Sequence, residues 1–141
     1  MELRVHHLLC CPLYTGHGYS REFEDNIENK TELLKSGCSV RLVTEPDVIC
    51  GSCPNLIRGE TGKSVCGLDG NHVADKDREL LEMLNGEIRT DVTYGSGELW
   101  RIMHDKMTDE IFRRSCMRCE WYKMGLCSYR KYTASLESSY L

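Results

Sequence analysis

The sequence predicts a mainly α-helical chain. It reads as one small domain of short helices with at most a minor strand element and a long Cys-rich loop in its middle. Three observations lead there. Apolar residues recur at helical spacing in several stretches with good caps. Only one short stretch alternates in the manner of a strand. The run from Cys50 to Gly70 holds five glycines and a proline, too broken for a helix or a long strand. A length of 141 residues fits a single domain, 1–141, able to bury a modest core.

Taken in chain order, residues 4–11 are apolar without a deciding period, so a short buried helix and an extended segment both fit. Glycines around 16–18 then break the chain. Ser20 is a good N-cap, and Glu22 and Glu24 suit the positive helix end. Phe23, Ile27 and Leu34 fall on one stripe and Gly37 marks a stop, which predicts a helix over 20–35. "SVRLV" at 39–43 is the strand candidate. Cys50 to Gly70 follows as loop, long for a compact domain and therefore expected to be held by something. "NHVADKDRELLEMLNG" predicts a helix over 72–84 with Leu80, Leu81 and Leu84 inward and Asn85-Gly86 as its stop. Residues 87–93 are expected to be extended. "SGELWRIMHDKM" predicts a further helix. Thr108 caps a short one that carries Ile111 and Phe112 and delivers Cys116.

Composition excludes several classes. Hydrophobic residues at 40% and charged residues at 28% are those of a globular chain, not a disordered one. No apolar run nears the roughly 20 residues that cross a bilayer. "MELRVHHLLCC" is not expected to act as a signal peptide, being short, histidine-bearing and without a small-residue cleavage site. The net charge of −4 lacks the basic excess of a general nucleic-acid binder. We see no P-loop, dinucleotide fingerprint, nucleophile elbow or paired-carboxylate motif, so no catalytic motif is recognised. His17, His72 and His104 are scattered and are expected at the surface.

Nine cysteines dominate the reading: Cys10, Cys11, Cys38, Cys50, Cys53, Cys66, Cys116, Cys119 and Cys127. The expected compartment is the cytoplasm, where disulfides are rare and clustered thiols are more often metal ligands. Two stretches share a plan. Each opens with C-x2-C, Cys50/Cys53 and Cys116/Cys119, and each trails a third thiol, Cys66 or Cys127. Two intervening residues let the chain turn both sulfurs toward one ion while backbone N–H groups support the thiolates. Cys10, Cys11 and Cys38 are expected as small core hydrophobes. A C-x2-C redox pair normally opens a helix, whereas Cys116 closes one.

Spacing leaves the metal open. Zinc would take Cys50, Cys53, Cys116 and Cys119 as two knuckles, leaving Cys66 and Cys127 without a role. An iron–sulfur cluster accommodates trailing cysteines. Residues 113–132 carry six basic residues against one acid. Compensation of an anionic thiolate site, with a solvated face, is the expected role of this charge. Trp121, Tyr122, Tyr129 and Tyr132 are expected to pack and shield the site rather than stack on single-stranded nucleic acid.

"VHHLLC" at 5–10, "GHGYSREFEDN" at 16–26, "PDVIC" at 46–50 and "CMRCEWYKMGLC" at 116–127 together resemble the DUF1284 family of small proteins. The resemblance implies an iron–sulfur cofactor, of the [4Fe–4S] type, and no particular activity. It points to Cys50, Cys116, Cys119 and Cys127 as the ligand quartet, with Cys66 and then Cys53 as substitutes. It also draws attention to His6, His7 and Cys10. His7 and Cys10 share a helix face and could form a second small metal site or a sensing thiol, although satisfied core histidines are the expected case. Two functions are carried forward. One is an iron–sulfur protein for electron transfer or redox sensing, docking an acidic redox partner through its basic run. The other is a zinc-stabilised binding module with a purely structural site of four cysteines. Neither involves a membrane.

Overall fold

The structure is a computed structural model that describes residues 1–16, 18–58, 64–67 and 72–141. His17, the side chain of His72 and stretches 59–63 and 68–71 of the expected loop lie outside the described residues. Helices dominate, with a small three-stranded sheet beside them.

The ambiguous N-terminus divides into both expected states. Glu2–Arg4 forms strand β1 and His7–Leu13 forms helix α1. Helix α2, Arg21–Ser36, starts at Ser20, whose side chain accepts from the Phe23 N–H, and stops at Gly37, where φ is 101°. That angle suits a residue without a Cβ. Strand β2, Ser39–Val43, pairs parallel with β1, Leu3 opposite Leu42. It also receives strand β5, Thr93–Gly95, antiparallel with Val40 opposite Tyr94.

The extended stretch expected over 87–93 is thus displaced. Residues 87–92 are turn, tied down by the Arg89 N–H donating 2.9 Å to the Tyr94 hydroxyl. The described parts of the Cys-rich run also hold more secondary structure than the glycines imply. A 3-10 turn, Cys50–Ser52, leads into an antiparallel hairpin of β3, Leu56–Arg58, and β4, Ser64–Cys66. Three-residue strands are too short for alternation to show in sequence. Helix α3 is His72–Met83, helix α4 Ser96–Lys106 and helix α5 Asp109–Cys116, the last capped by Thr108 as expected. Helix α6, Glu120–Lys123, helix α7, Tyr129–Ser135, and a π-helical turn, Leu136–Tyr140, complete the chain.

The core lies where the inner face of the sheet (Leu3, Val40, Leu42) meets α1, α2, α4 and α5 through Leu8, Ile27, Trp100 and Phe112, all buried. The C-terminal helix is strapped to α1 for a local reason. Pro12 lies inside α1 and has no N–H, so the Leu8 carbonyl loses its usual helical donor. The buried Tyr132 hydroxyl donates to that carbonyl at 3.1 Å. Nearby, Ser135 Oγ donates to the Pro12 carbonyl at 2.6 Å and the Tyr140 hydroxyl to that of Cys11 at 3.2 Å. Tyr132→Phe should therefore leave a buried carbonyl unpaired and cost about 1–3 kcal/mol, read as a lower urea midpoint at constant slope. A change within a few tenths of a kcal/mol would mean that water reaches the Leu8 carbonyl.

Candidate metal centre

The fold brings the thiol segments to one place. A hollow of about 160 Å3 lies where β1, α1, the 3-10 turn, β4, α3 and the α5–α6 corner meet, and Cys10, Cys50, Cys53, Cys66 and Cys119 line it. The two C-x2-C stretches, more than sixty residues apart, therefore face a common space. Their turns follow from short-range bonding. The Cys53 N–H donates 2.9 Å to the Cys50 carbonyl, and the Cys119 N–H 2.9 Å to the Cys116 carbonyl. Gly125, at φ 77°, lets the chain double back between α6 and Cys127.

Of the quartet favoured by resemblance, Cys50 and Cys119 face the hollow. Cys116 is buried and Cys127 half-buried; both lie within electrostatic range of Cys119 and of Lys76 rather than on the wall itself. The substitutes Cys53 and Cys66 are wall residues. Cys11 and Cys38 take the roles expected of them, one buried in the core and the other packed half-buried against it. Cys10 does not. It lines the hollow and couples electrostatically to Cys119 and Cys116. Its face-sharing with His7 is the sequence signal that identifies it, and the apolar context of α1 masks that signal.

Burial pushes Cys50 and Cys116 up to about 12 and Cys127 to about 11. As free thiols they are protonated at neutral pH, so holding them as thiolates takes added positive charge. Reactive thiolate pairs show the opposite shift, which argues against a dithiol redox motif. Part of the positive charge comes from Lys76, whose ammonium lines the hollow. Burial works against that ammonium, but the negative charge of Cys10, Cys119 and Cys116 as thiolates outweighs it and raises its pKa. The expectation that the 113–132 run compensates the thiolates and forms a solvated face holds in part: Lys131 lies within electrostatic range of Cys127 and favours its thiolate. Arg113, Arg114, Arg118, Lys123, Arg130 and Lys131 are all exposed. Three of them pair with neighbouring acids, Arg113 with Asp109, Arg118 with Glu79 and Lys123 with Glu120. Of the six, only Arg118 reaches the rim of the hollow.

Two adjacent imidazoles also line the hollow. His6 Nδ1 lies 2.7 Å from Asp77 Oδ1 and His7 Nδ1 lies 2.7 Å from Asp47 Oδ2, both carboxylates being fully buried. Burial lowers His6 to about 3, helped by the charge of His7, so its ring is neutral. Burial works against ionisation of Asp47, but His7 and the backbone N–H groups of Arg4 and Cys50 outweigh it and hold the carboxyl well below its usual range. Arg4, buried beneath the rings, places Nε 2.6 Å from Asp77 Oδ2. Tyr19 stacks on Trp121 with centroids 5.4 Å apart, and Phe23 meets Tyr19 edge-on at 5.3 Å; all three lie over the hollow. Tyr122 and Tyr129 pack toward Phe112, and Tyr132 is fully buried. His104 is half-buried, with Nε2 3.0 Å from Glu137.

The residues present fit an inorganic group. The wall offers several soft sulfur donors with a cation beside them. Ser115 Oγ, on the same wall, is a buried hydroxyl with no partner among the described residues, an atom that a sulfide or thiolate in the hollow would satisfy. Spacing favours a large group. Four thiolates on one zinc ion stand about 3.8 Å apart, from bonds of roughly 2.3 Å. Among the described residues no three thiols lie within 4.8 Å of one another; the single group that close is His7, Asp47 and Cys50. Iron–sulfur clusters spread their thiolates wider than a single ion does. No helix among the described residues is long and apolar enough to cross a membrane.

A profile of the family described as "Protein of unknown function (DUF1284)" matches residues 18–125, about three quarters of the chain. The matched stretch includes Cys50, Cys53, Cys66, Cys116 and Cys119, whereas His6, His7, Cys10 and Cys127 lie outside it. No curated protein and no solved structure matches the chain.

Proposed function

The chain belongs to the DUF1284 family, and we propose that its thiol-lined hollow holds an iron–sulfur cluster of the [4Fe–4S] type that exchanges electrons or senses redox state. The observation that carries this reading is the meeting of five thiols from three separate segments, 10, 50–66 and 119, around one space. Cys119 and Cys50 are the first ligand candidates. Cys53, Cys66 and Cys10 stand at hand on the wall, and Cys116 and Cys127 lie behind. When bound, the cluster supplies one-electron chemistry. The chain's own residues do the rest. Lys76 and Arg4 offset thiolate charge, Ser115 offers its hydroxyl, and Tyr19 and Trp121 limit water. The exposed basic run, whose surface ion pairs exchange at little cost, offers a docking face to an acidic redox partner.

Protein purified without oxygen is expected to be brown, with iron and acid-labile sulfide in equal amounts, about four of each per chain. Cys38→Ser, which removes a thiol packed on the core away from the hollow, should leave both contents unchanged. Colourless protein carrying one zinc per chain would overturn the proposal in favour of a structural zinc site.

A further inference from the structure

Asp47, His7 and Cys50 lie close enough to share a metal ion, yet the carboxylate has no lone pair to give. Asp47 Oδ2 accepts from the Arg4 N–H at 2.6 Å and from His7 Nδ1 at 2.7 Å. Oδ1 accepts from the N–H groups of Ile49 at 2.8 Å and Cys50 at 3.1 Å. A carboxylate offers about four acceptor sites, and all four are taken. Its place is behind the histidine.

A carboxylate accepts but does not donate, so His7 carries a proton on Nδ1, and Nε2 is the ring nitrogen left to bind a metal. That nitrogen has no hydrogen-bond partner among the described residues, although the side chain is nine-tenths buried and lines the hollow. A buried imidazole whose Nδ1–H is fixed by a carboxylate and whose Nε2 is left open is the arrangement that orients metal-bound histidines. Cys50 supplies a sulfur on the same side of the hollow, within 4.8 Å of the His7–Asp47 pair, and the Arg4 guanidinium is placed to donate to it. His6 is built the same way against Asp77, but no comparable ligand group forms around it among the described residues.

We infer that His7 binds the metal centre through Nε2, held by Asp47, so that the hollow is a mixed thiolate–imidazole site. The inference rests on the reading that a metal centre sits there, and it deepens that reading by naming a nitrogen ligand. A neutral imidazole in place of a thiolate removes one negative charge from the site, which raises the reduction potential of a cluster.

The test uses the full chain, reconstituted without oxygen with ferrous iron and sulfide, reduced, and read by pulsed EPR. Wild-type protein should show a strong 14N coupling that His6→Ala keeps and His7→Ala loses. In parallel, apo protein labelled with 15N-histidine is titrated with Cd2+ and read by NMR; the Nε2 resonance of His7 should shift with one equivalent. This second arm needs no variant, so a misfolded His7→Ala does not blunt the test. A cluster without the 14N coupling would overturn the imidazole ligand and leave the iron–sulfur reading standing. Failure to form any cluster would overturn the iron–sulfur reading. The Cd2+ arm then decides separately: a moved His7 Nε2 supports the ligand, and an unmoved one at saturation overturns it.

Discussion

Replacing Asp77 by alanine is expected to cost about 3–5 kcal/mol of folding stability, more than any other single side-chain truncation outside the apolar core. The magnitude is that of removing one partner from a buried ion pair and leaving the other charge uncompensated. Arg4 is that other charge. It is 1% exposed, and its Nε meets Asp77 at 2.6 Å. The same carboxylate accepts from the His6 N–H at 2.9 Å and from its ring at 2.7 Å, so the truncation also orphans the turn into α1. Asp77→Asn should help little, because donors face both carboxylate oxygens, Arg4 Nε one and the His6 N–H and ring the other, so the NH2 meets a donor in either orientation. Arg4→Met combined with Asp77→Leu should recover most of the loss, since an apolar pair of similar volume carries no buried charge. Urea unfolding of the four proteins at pH 7 gives the comparison.

The sign of the acid dependence follows from the same contacts. Burial works against ionisation of Asp77, but His6 and Arg4 outweigh it and lower its folded pKa. A depressed carboxyl contributes stability that is present above the unfolded value near 3.8 and is lost as pH falls through the folded value. The wild-type advantage over Asp77→Ala should thus persist at neutral pH and shrink below about pH 4. A cost under 1 kcal/mol at pH 7 would show that water reaches Arg4.

Helices α2 to α5 were legible in the sequence because their signals are local, whereas α6, α7 and the final π-helical turn were not predicted. Ser20 and Thr108 cap as expected, and the Phe23–Ile27–Leu34 stripe is buried as its spacing requires. What the sequence hides is pairing between distant segments. Strand β1 exists because Leu3 finds Leu42, and β5 because Tyr94 finds Val40; neither has a pattern of its own. The thiol motifs were legible for the same local reason as the helices. Their partners were not. Lys76 and Asp77 are consecutive residues of an ordinary-looking amphipathic helix, and only the fold turns one toward the thiols and the other toward Arg4. Asp47 reads as a turn residue beside Pro46, and two of its four donors, from Arg4 and His7, come from some forty residues away. Cys10 reads as part of an apolar run, and only the register of α1 separates it from buried Cys11.

Cys119→Ser is expected to abolish binding of the centre and to unfold part of the molecule only. Cys119 lines the hollow and lies within electrostatic range of Cys10, Cys116 and Cys127. A clamp that closes so long a loop would, on chain entropy alone, spread the loss over the whole second half. Packing confines the effect. Trp100, Met103, Phe112 and Tyr132 lie in the second half and are buried in the common core. The 3-10 turn at Cys50–Ser52 and helix α6 bury no residue at all. Among the residues whose burial is described, none in 50–57, 66–67 or 117–127 is fully buried, and these segments follow the core anchors Ile49 and Cys116. A group held by the thiols, as proposed above, would add order there that the core does not supply. Metal stripped by chelator, or lost through Cys119→Ser, should raise amide exchange in those segments about 100-fold. That corresponds to about 2.7 kcal/mol of lost binding free energy, while α2, α4 and α5 keep their protection. Equal exchange in loaded and stripped protein would mean that the thiols gather without bearing on the fold.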